Sequence, residues 1–195
     1  MFRAQAERLE ARQSDSWIAI GRMMGLEGHI RTMIARERSI LAHIPRPLRP
    51  AFFAATGVGT TQALHDVIAG GVLRGHDPGR RAARAALREL GVPYQWGGES
   101  AAGFDCSGLT QFAYGRAGIA IPRVAAAQMA AGTPVAVDHL RPGDLVFFER
   151  GIGHVAMYVG DGLVIEAPHT GAVVWLARLD DSWHRANYQG AVQPW

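Results

Sequence analysis

The chain has 195 residues, of which 48% are hydrophobic and 19% charged, with a formal net charge of +3. That balance belongs to a globular chain able to bury a core, and it excludes a disordered polyelectrolyte or a collagen-like fibre. The single cysteine, Cys106, excludes an internal disulfide framework and any paired-cysteine metal site.

Every basic residue is arginine, and the distribution is lopsided: residues 1–88 hold 14 Arg against 7 acidic residues, and residues 89–195 hold 6 against 10. The basic part suits contact with an anionic polymer or surface, or forms a solvated helix face. The opening "MFRAQAERLEARQSDSW" lacks the unbroken apolar segment and small-residue cleavage site of a secretory signal, so no export address is expected. No apolar run reaches the roughly 18 residues needed to cross a bilayer. From Trp17, the residues Ile20, Met24, Ile30 and Ile34 recur at helical spacing with arginines between them, which predicts an amphipathic helix. "IPRPLRP" at 44–50 ends it, and a weaker helical stretch runs from Thr60 to Val72. The Gly and Pro punctuation of "RGHDPGRR", 74–81, marks a border between an N-terminal helical region, 1–75, and a second domain, 80–195.

In the second domain, Ala82–Leu90 is alanine-rich and helical, stopped by Gly91 and Pro93. "CSGLTQFAYGRAG" places Leu109, Phe112 and Ala113 at helical spacing and ends at Gly118, and Pro122 suits the first turn of another short helix. Beyond Gly143, "DLVFFE", "HVAMYVG", "LVIEA" and "VVWLA" are short and rich in branched and aromatic residues, with "GIG", "GDG" and "HTG" between them. They read as an antiparallel meander. Helices first and strands afterwards predict an α+β domain.

Cys106 is either a packed thiol or a nucleophile. A free thiol is only slightly ionised at neutral pH, so a nucleophilic role needs help. The first turn of a helix supplies part of it, with Asp105 placed to cap that helix, and an imidazole must supply the rest. Of the eight histidines, His154 opens the strand "HVAMYV" after "GIG", where a side chain sits at a sheet end and can face a helix terminus. The hairpin register then supplies a third member. If "GDG" at 160–162 forms a three-residue loop with Gly162 left-handed, Val159 pairs with Leu163 and Ala156 lies opposite Glu166. Glu166 is then diagonal to His154 on the same face, about 7–8 Å away, a gap long side chains close. A two-residue loop moves the register by one, turns Glu166 to the far face and brings His169 opposite His154. Glycine at the third loop position favours Glu166.

Three ordered motifs, "GVPYQWGGESAAGFDCSGLTQFAY", "LRPGDLVFF" and "GHVAMYVGDGLVIEA", resemble the NlpC family of bacterial cell-wall cysteine peptidases over residues 82–177. The resemblance implies a papain-like fold, with helices on a central antiparallel sheet, and a triad of Cys106, His154 and Glu166. The third place in the family is commonly His and sometimes Glu, Gln or Asn. The resemblance also sets Tyr94 over the thiol, where its hydroxyl helps hold an oxyanion or the ring merely packs. Trp96, Gly97 and Gly98 become a cleft wall, Ser107 a neighbour of the nucleophile with a substrate contact, and Asp105 a structural residue.

The expected function is therefore hydrolysis of peptidoglycan stem peptides, at the D-glutamyl–diamino acid bond that the resemblance implies, outside the cytoplasm. No cofactor and no metal are called for, since neither "HExxH" nor paired cysteines occur. Nucleic acid is not an expected partner. The rival readings are an amidase, acyltransferase or toxin on the same fold, and a wall-binding module without turnover.

Overall fold

The computed structural model describes residues 73–195. The helices expected between Trp17 and Val72, and with them residues 1–72 of the N-terminal region, lie outside the described residues.

The first helix, α1, spans Pro78–Leu87. Asp77 caps it, its side chain accepting from the Arg80 amide at 3.0 Å, and Pro78 occupies the first turn, where a missing amide costs nothing. The same Gly and Pro punctuation thus also holds a helix start, and the alanine-rich run behind the Asp-Pro pair continues the helix. The end comes at Leu87, short of the expected Leu90.

A small hairpin follows, β1 (Glu99–Ser100) against β2 (Gly103–Phe104), and leads directly into α2, Cys106–Arg116. The next helix, α3, is Ala125–Ala131 with Val124 at its cap position, so Pro122 precedes the helix rather than lying in its first turn. The Pro122 carbonyl accepts instead from the buried Gln128 amide at 2.8 Å.

Six strands form one antiparallel sheet: β3 (Thr133–Pro134), β4 (Leu145–Phe148), β5 (His154–Gly160), β6 (Leu163–Glu166), β7 (Trp175–Arg178) and β8 (Tyr188–Gln193), in the order β3-β8-β4-β5-β6-β7. The α+β class and the β4–β7 meander are as the sequence predicts. The return of β8 between β3 and β4, after a short helix α4 (Ser182–Asn187), is not. Its sequence, "YQGAVQ", mixes polar residues and glycine and lacks the apolar run that marks a buried strand.

β4 and β6 are buried throughout, as is nearly all of β5, so these strands are covered on both faces. Continuous apolar runs are what two-sided burial requires. Within β5 and β6 the buried ionisable residues are His154 and Glu166.

The β5–β6 turn differs from expectation in a way that matters. Gly160 pairs with Leu163, leaving a two-residue loop of Asp161 (φ 51°) and Gly162 (φ 73°), both left-handed as a type I′ turn demands. That loop alone would have turned Glu166 to the far face. A bulge between Tyr158 and Gly160 inserts one residue and restores the pairing to Tyr158–Val164 and Met157–Ile165. Continued by one step, this register sets Ala156 opposite Glu166, the arrangement expected from the longer loop.

α2 packs against α1 and β5. Tyr114, fully buried on α2, donates its hydroxyl to the Gly143 carbonyl at 2.7 Å and so ties this helix to the turn that starts β4. Tyr114→Phe leaves that carbonyl buried and unpaired; a loss of about 1–2 kcal/mol in urea unfolding is expected.

Candidate active site

Cys106 is the first residue of α2, partly accessible and unpaired with any other cysteine. Asp105, immediately before it, is the N-cap and the hub of this corner. Its Oδ1 accepts from the Gly108 amide at 2.7 Å and its Oδ2 from the Gly97 amide at 3.0 Å. Arg123 grips both oxygens, at 2.9 and 2.7 Å, in a fork that lysine could not reproduce. One carboxylate therefore fixes the helix start, the Trp96–Gly98 loop and the segment before α3. The close packing requires glycine at 108, where a Cβ would collide with the Gly98 carbonyl oxygen.

His154 opens β5, nine-tenths or more buried, and its Nε2 lies 2.7 Å from Glu166 Oε2. With Nε2 committed to Glu166, Nδ1 is the nitrogen left for Cys106, whose interaction with the ring helps raise its basicity. Burial acts to lower the basicity of the ring, but the hydrogen bonds to Cys106 and Glu166 and the carboxylate's charge outweigh it, so the His154 pKa is raised. Glu166 shows the opposite balance. Burial pushes its pKa up, while hydrogen bonds from His154 and His184 and the charges of both rings hold it well below the usual carboxylate range. Its second oxygen, Oε1, accepts from the Trp175 indole at 2.7 Å, and Trp175 pairs directly with Glu166 across β6–β7.

The aromatic rings around this pair keep water away. Phe148, opposite His154 in the β4–β5 ladder, has its ring centroid 6.0 Å from the imidazole, and Trp183 on α4 meets the imidazole edge-on at 5.9 Å. Trp183 keeps 43% of its surface exposed, so it shields the histidine on one side and presents a face to solvent on the other.

Cys106, His154 and Glu166 are thus brought together. His169 is not: it is exposed in the loop after β6, its Nδ1 turned to the Thr170 carbonyl at 3.0 Å. Tyr94 is half-buried, its phenol raised by burial and then by the neighbouring Cys106 and Asp105. Ser107 is buried, and its hydroxyl lies 2.9 Å from Arg123 and 3.4 Å from Asp105. Trp96 stands 85% exposed beside Gly97 and Gly98. Among the described residues no group of three or more His, Cys, Asp or Glu is arranged to hold a metal ion.

Sequence reasoning missed Arg123, Trp175, Asp181 and His184. For the last two a signal existed: "DSWH" sets a capping residue three positions before its partner, and Asp181 does accept from the His184 amide at 2.9 Å.

A model of the NlpC/P60 family matches residues 91–193, which holds the cysteine, the histidine and the glutamate. The chain belongs to the NlpC/P60 family. It is 44% identical over 118 residues to a probable endopeptidase of Corynebacterium glutamicum, covering 60% of this chain and 48% of that protein. Among solved structures it is similar to an NlpC/P60 family protein from Bacillus cereus, with TM-score 0.57, 38% identity, and 59% and 39% of the two chains covered. It is also similar to the NlpC/P60 domain of the peptidoglycan hydrolase SagA, with TM-score 0.54, 34% identity, and 59% and 97% covered. The chain spans less than half the length of the curated relatives it matches. The NlpC/P60 part carries the whole of the site described above, and among the described residues no helix is long and apolar enough to cross a membrane.

Two predictions follow from the geometry of this NlpC/P60 site. Arg123→Ala strips Asp105 of its fork and should lower stability by about 1–3 kcal/mol, read by chemical denaturation. The ion pair should also give a peaked stability profile. Glu166, lowered on folding, stabilises above its ordinary value of 4.5 and loses this as pH falls through its folded value. His154, raised on folding, stabilises below its ordinary 6.5 and loses this as pH rises through its folded value. The stability gap between wild type and Glu166→Gln is expected to be widest between pH 4.5 and 6.5 and to narrow on both sides, as measured by thermal unfolding across pH.

Proposed function

We propose that this chain is a cysteine endopeptidase that cuts peptidoglycan stem peptides by a Cys106–His154–Glu166 triad. The observation that carries the reading is the buried His154–Glu166 pair, which leaves the other ring nitrogen for a neighbouring cysteine on the first turn of a helix. The names of relatives, endopeptidases and a peptidoglycan hydrolase, support the substrate class.

In the proposed reaction His154 takes the thiol proton and the Cys106 sulfur attacks the amide carbonyl carbon. The carbonyl electrons move to oxygen. A helix start leaves its first amides without intrahelical acceptors; Asp105 occupies that of Gly108, and the amides of Cys106 and Ser107 remain to meet the oxyanion. Collapse of the tetrahedral species breaks the C–N bond, and the His154 proton goes to the leaving amine. Water, activated by the same imidazole, then releases the acid and restores the thiol. Glu166 keeps Nε2 protonated and the ring in place throughout. Tyr94, beside the thiol, adds a further donor to the oxyanion, and the exposed Trp96 forms one wall of the cleft. The bond cut is the D-glutamyl–diamino acid amide, and the site of action lies in the cell wall, outside the cytoplasm. The domain that does this work is 80–195.

Cys106→Ala should abolish release of stem-peptide fragments from purified peptidoglycan, followed by mass spectrometry, with the fold unchanged by circular dichroism. Glu166→Ala should cost about 100-fold or more in turnover, the scale of a general-base contribution, and His169→Ala little. Undiminished release by the cysteine variant, or the reverse ranking of the other two, would reject this assignment.

A further inference from the structure

The buried network does not stop at Glu166. His184, in the first turn of α4 and with its side chain 5% exposed, sits between two carboxylates. Its Nδ1 lies 2.8 Å from Asp181 Oδ2, and its Nε2 lies 3.3 Å from the same Glu166 oxygen, Oε2, that holds His154. The charged groups facing the ring are Asp181 on its own turn and Glu166 on β6, with His154 on β5 beyond the glutamate. Phe148, 4.9 Å away and edge-on, and Trp183, 5.0 Å away, pack around it.

A neutral imidazole has one N–H and one bare nitrogen. If the proton sat on Nδ1 for Asp181, the bare Nε2 would meet a buried carboxylate oxygen, lone pair against lone pair. The other tautomer places the same conflict at Asp181. Only a ring with both nitrogens protonated satisfies both carboxylates.

We propose that His184 is a positioning residue, a doubly protonated imidazole held between Asp181 and Glu166, which fixes the Glu166 carboxylate and offsets part of its charge toward His154. The proposal rests on the triad reading and extends it to a chain running Asp181, His184, Glu166, His154, Cys106. Two consequences follow. The His184 N–H occupies one lone pair of Oε2, so the carboxylate cannot turn and its remaining lone pair faces His154 Nε2. The positive ring also weakens the hold of Glu166 on the His154 imidazolium, which must surrender a proton to the leaving amine in each cycle. Burial works against a charged His184, but hydrogen bonds and charge from Glu166 and then Asp181 raise its pKa, in agreement with the geometry.

The test is Asp181→Asn in the full chain. Asparagine retains the helix cap, so α4 keeps its start, but it removes the charge that holds the second proton. In the wild type, nitrogen NMR of histidine-labelled protein should show both His184 nitrogens protonated at pH 7, with the resonance assigned by its loss in His184→Gln. Asp181→Asn should leave a single-proton tautomer at pH 7. On a muropeptide substrate it should lower kcat at least about tenfold, as expected for loss of a charge-assisted contact, with KM little changed and the alkaline limb of the kcat profile moved to higher pH. A purely structural role would lower stability without moving that limb. A neutral His184 in the wild type overturns the proposal, as does an Asp181→Asn enzyme whose kcat profile matches wild type. The NMR readout uses no substrate, so an inert wild type with a charged His184 would sink the peptidase reading and leave the imidazolium standing.

Discussion

A carboxylate buried in a sheet is the constraint around which this domain is arranged. Stripped of water, the Glu166 charge would be costly unless hydrogen-bonded on both oxygens and matched by opposite charge. It receives three donors from three elements: His154 from β5, Trp175 from β7 and His184 from α4. Each of those elements must be in register for the charge to be satisfied, so the glutamate selects one arrangement of strands and helix against its alternatives. The bulge in β5 is the clearest trace. It spends one residue on undoing the register of a two-residue turn, and the result is that Glu166 and His154 face the same way.

Cys106 is held by a second carboxylate, Asp105, which is partly buried, and the two systems are built independently. Asp105 organises the start of α2 through the helix amides, the Gly97 loop and the Arg123 fork, all of them fixed contacts of hydrogen-bonding length. Glu166 organises the sheet side. Cys106 and His154 lie on the elements where these frameworks meet, with α2 packed on β5. Rigid elements supported by hydrogen bonds behind the reacting groups are what hold a thiol and an imidazole within reach without a compensating motion.

The aromatic cluster gives the same site its dielectric character. Phe148, Trp183 and the two imidazoles pack with centroids between 4.9 and 6.0 Å, so the His154–Glu166 bond is shielded while Trp183 remains open to the outside. Shielding strengthens every charge interaction within the cluster. It also makes the loss of any single partner expensive, because the remaining charge cannot find water.

Local chemistry was legible in the sequence itself. Cys106 behind a capping Asp105, His154 at the mouth of a strand and the apolar runs of β4 to β6 are each specified by neighbours a few residues away, through helix-end amides, strand alternation and burial. Glu166 was reached through alternation and an expected three-residue turn; the turn has two residues, and the bulge in β5, which no local signal announced, restores the same pairing. The tertiary roles of Arg123, Trp175 and His184 were not legible, although "DSWH" did signal the Asp181 cap, and neither was the path of β8. Their roles depend on contacts between elements far apart in the chain, such as the 18 residues separating Arg123 from Asp105 and His184 from Glu166, and no local pattern encodes which distant partner a side chain will meet. The sequence determined which reactive groups stand at a helix start and a strand end; tertiary packing decided which others hold their charges in place, because a buried charge is satisfied only by whatever the fold brings beside it.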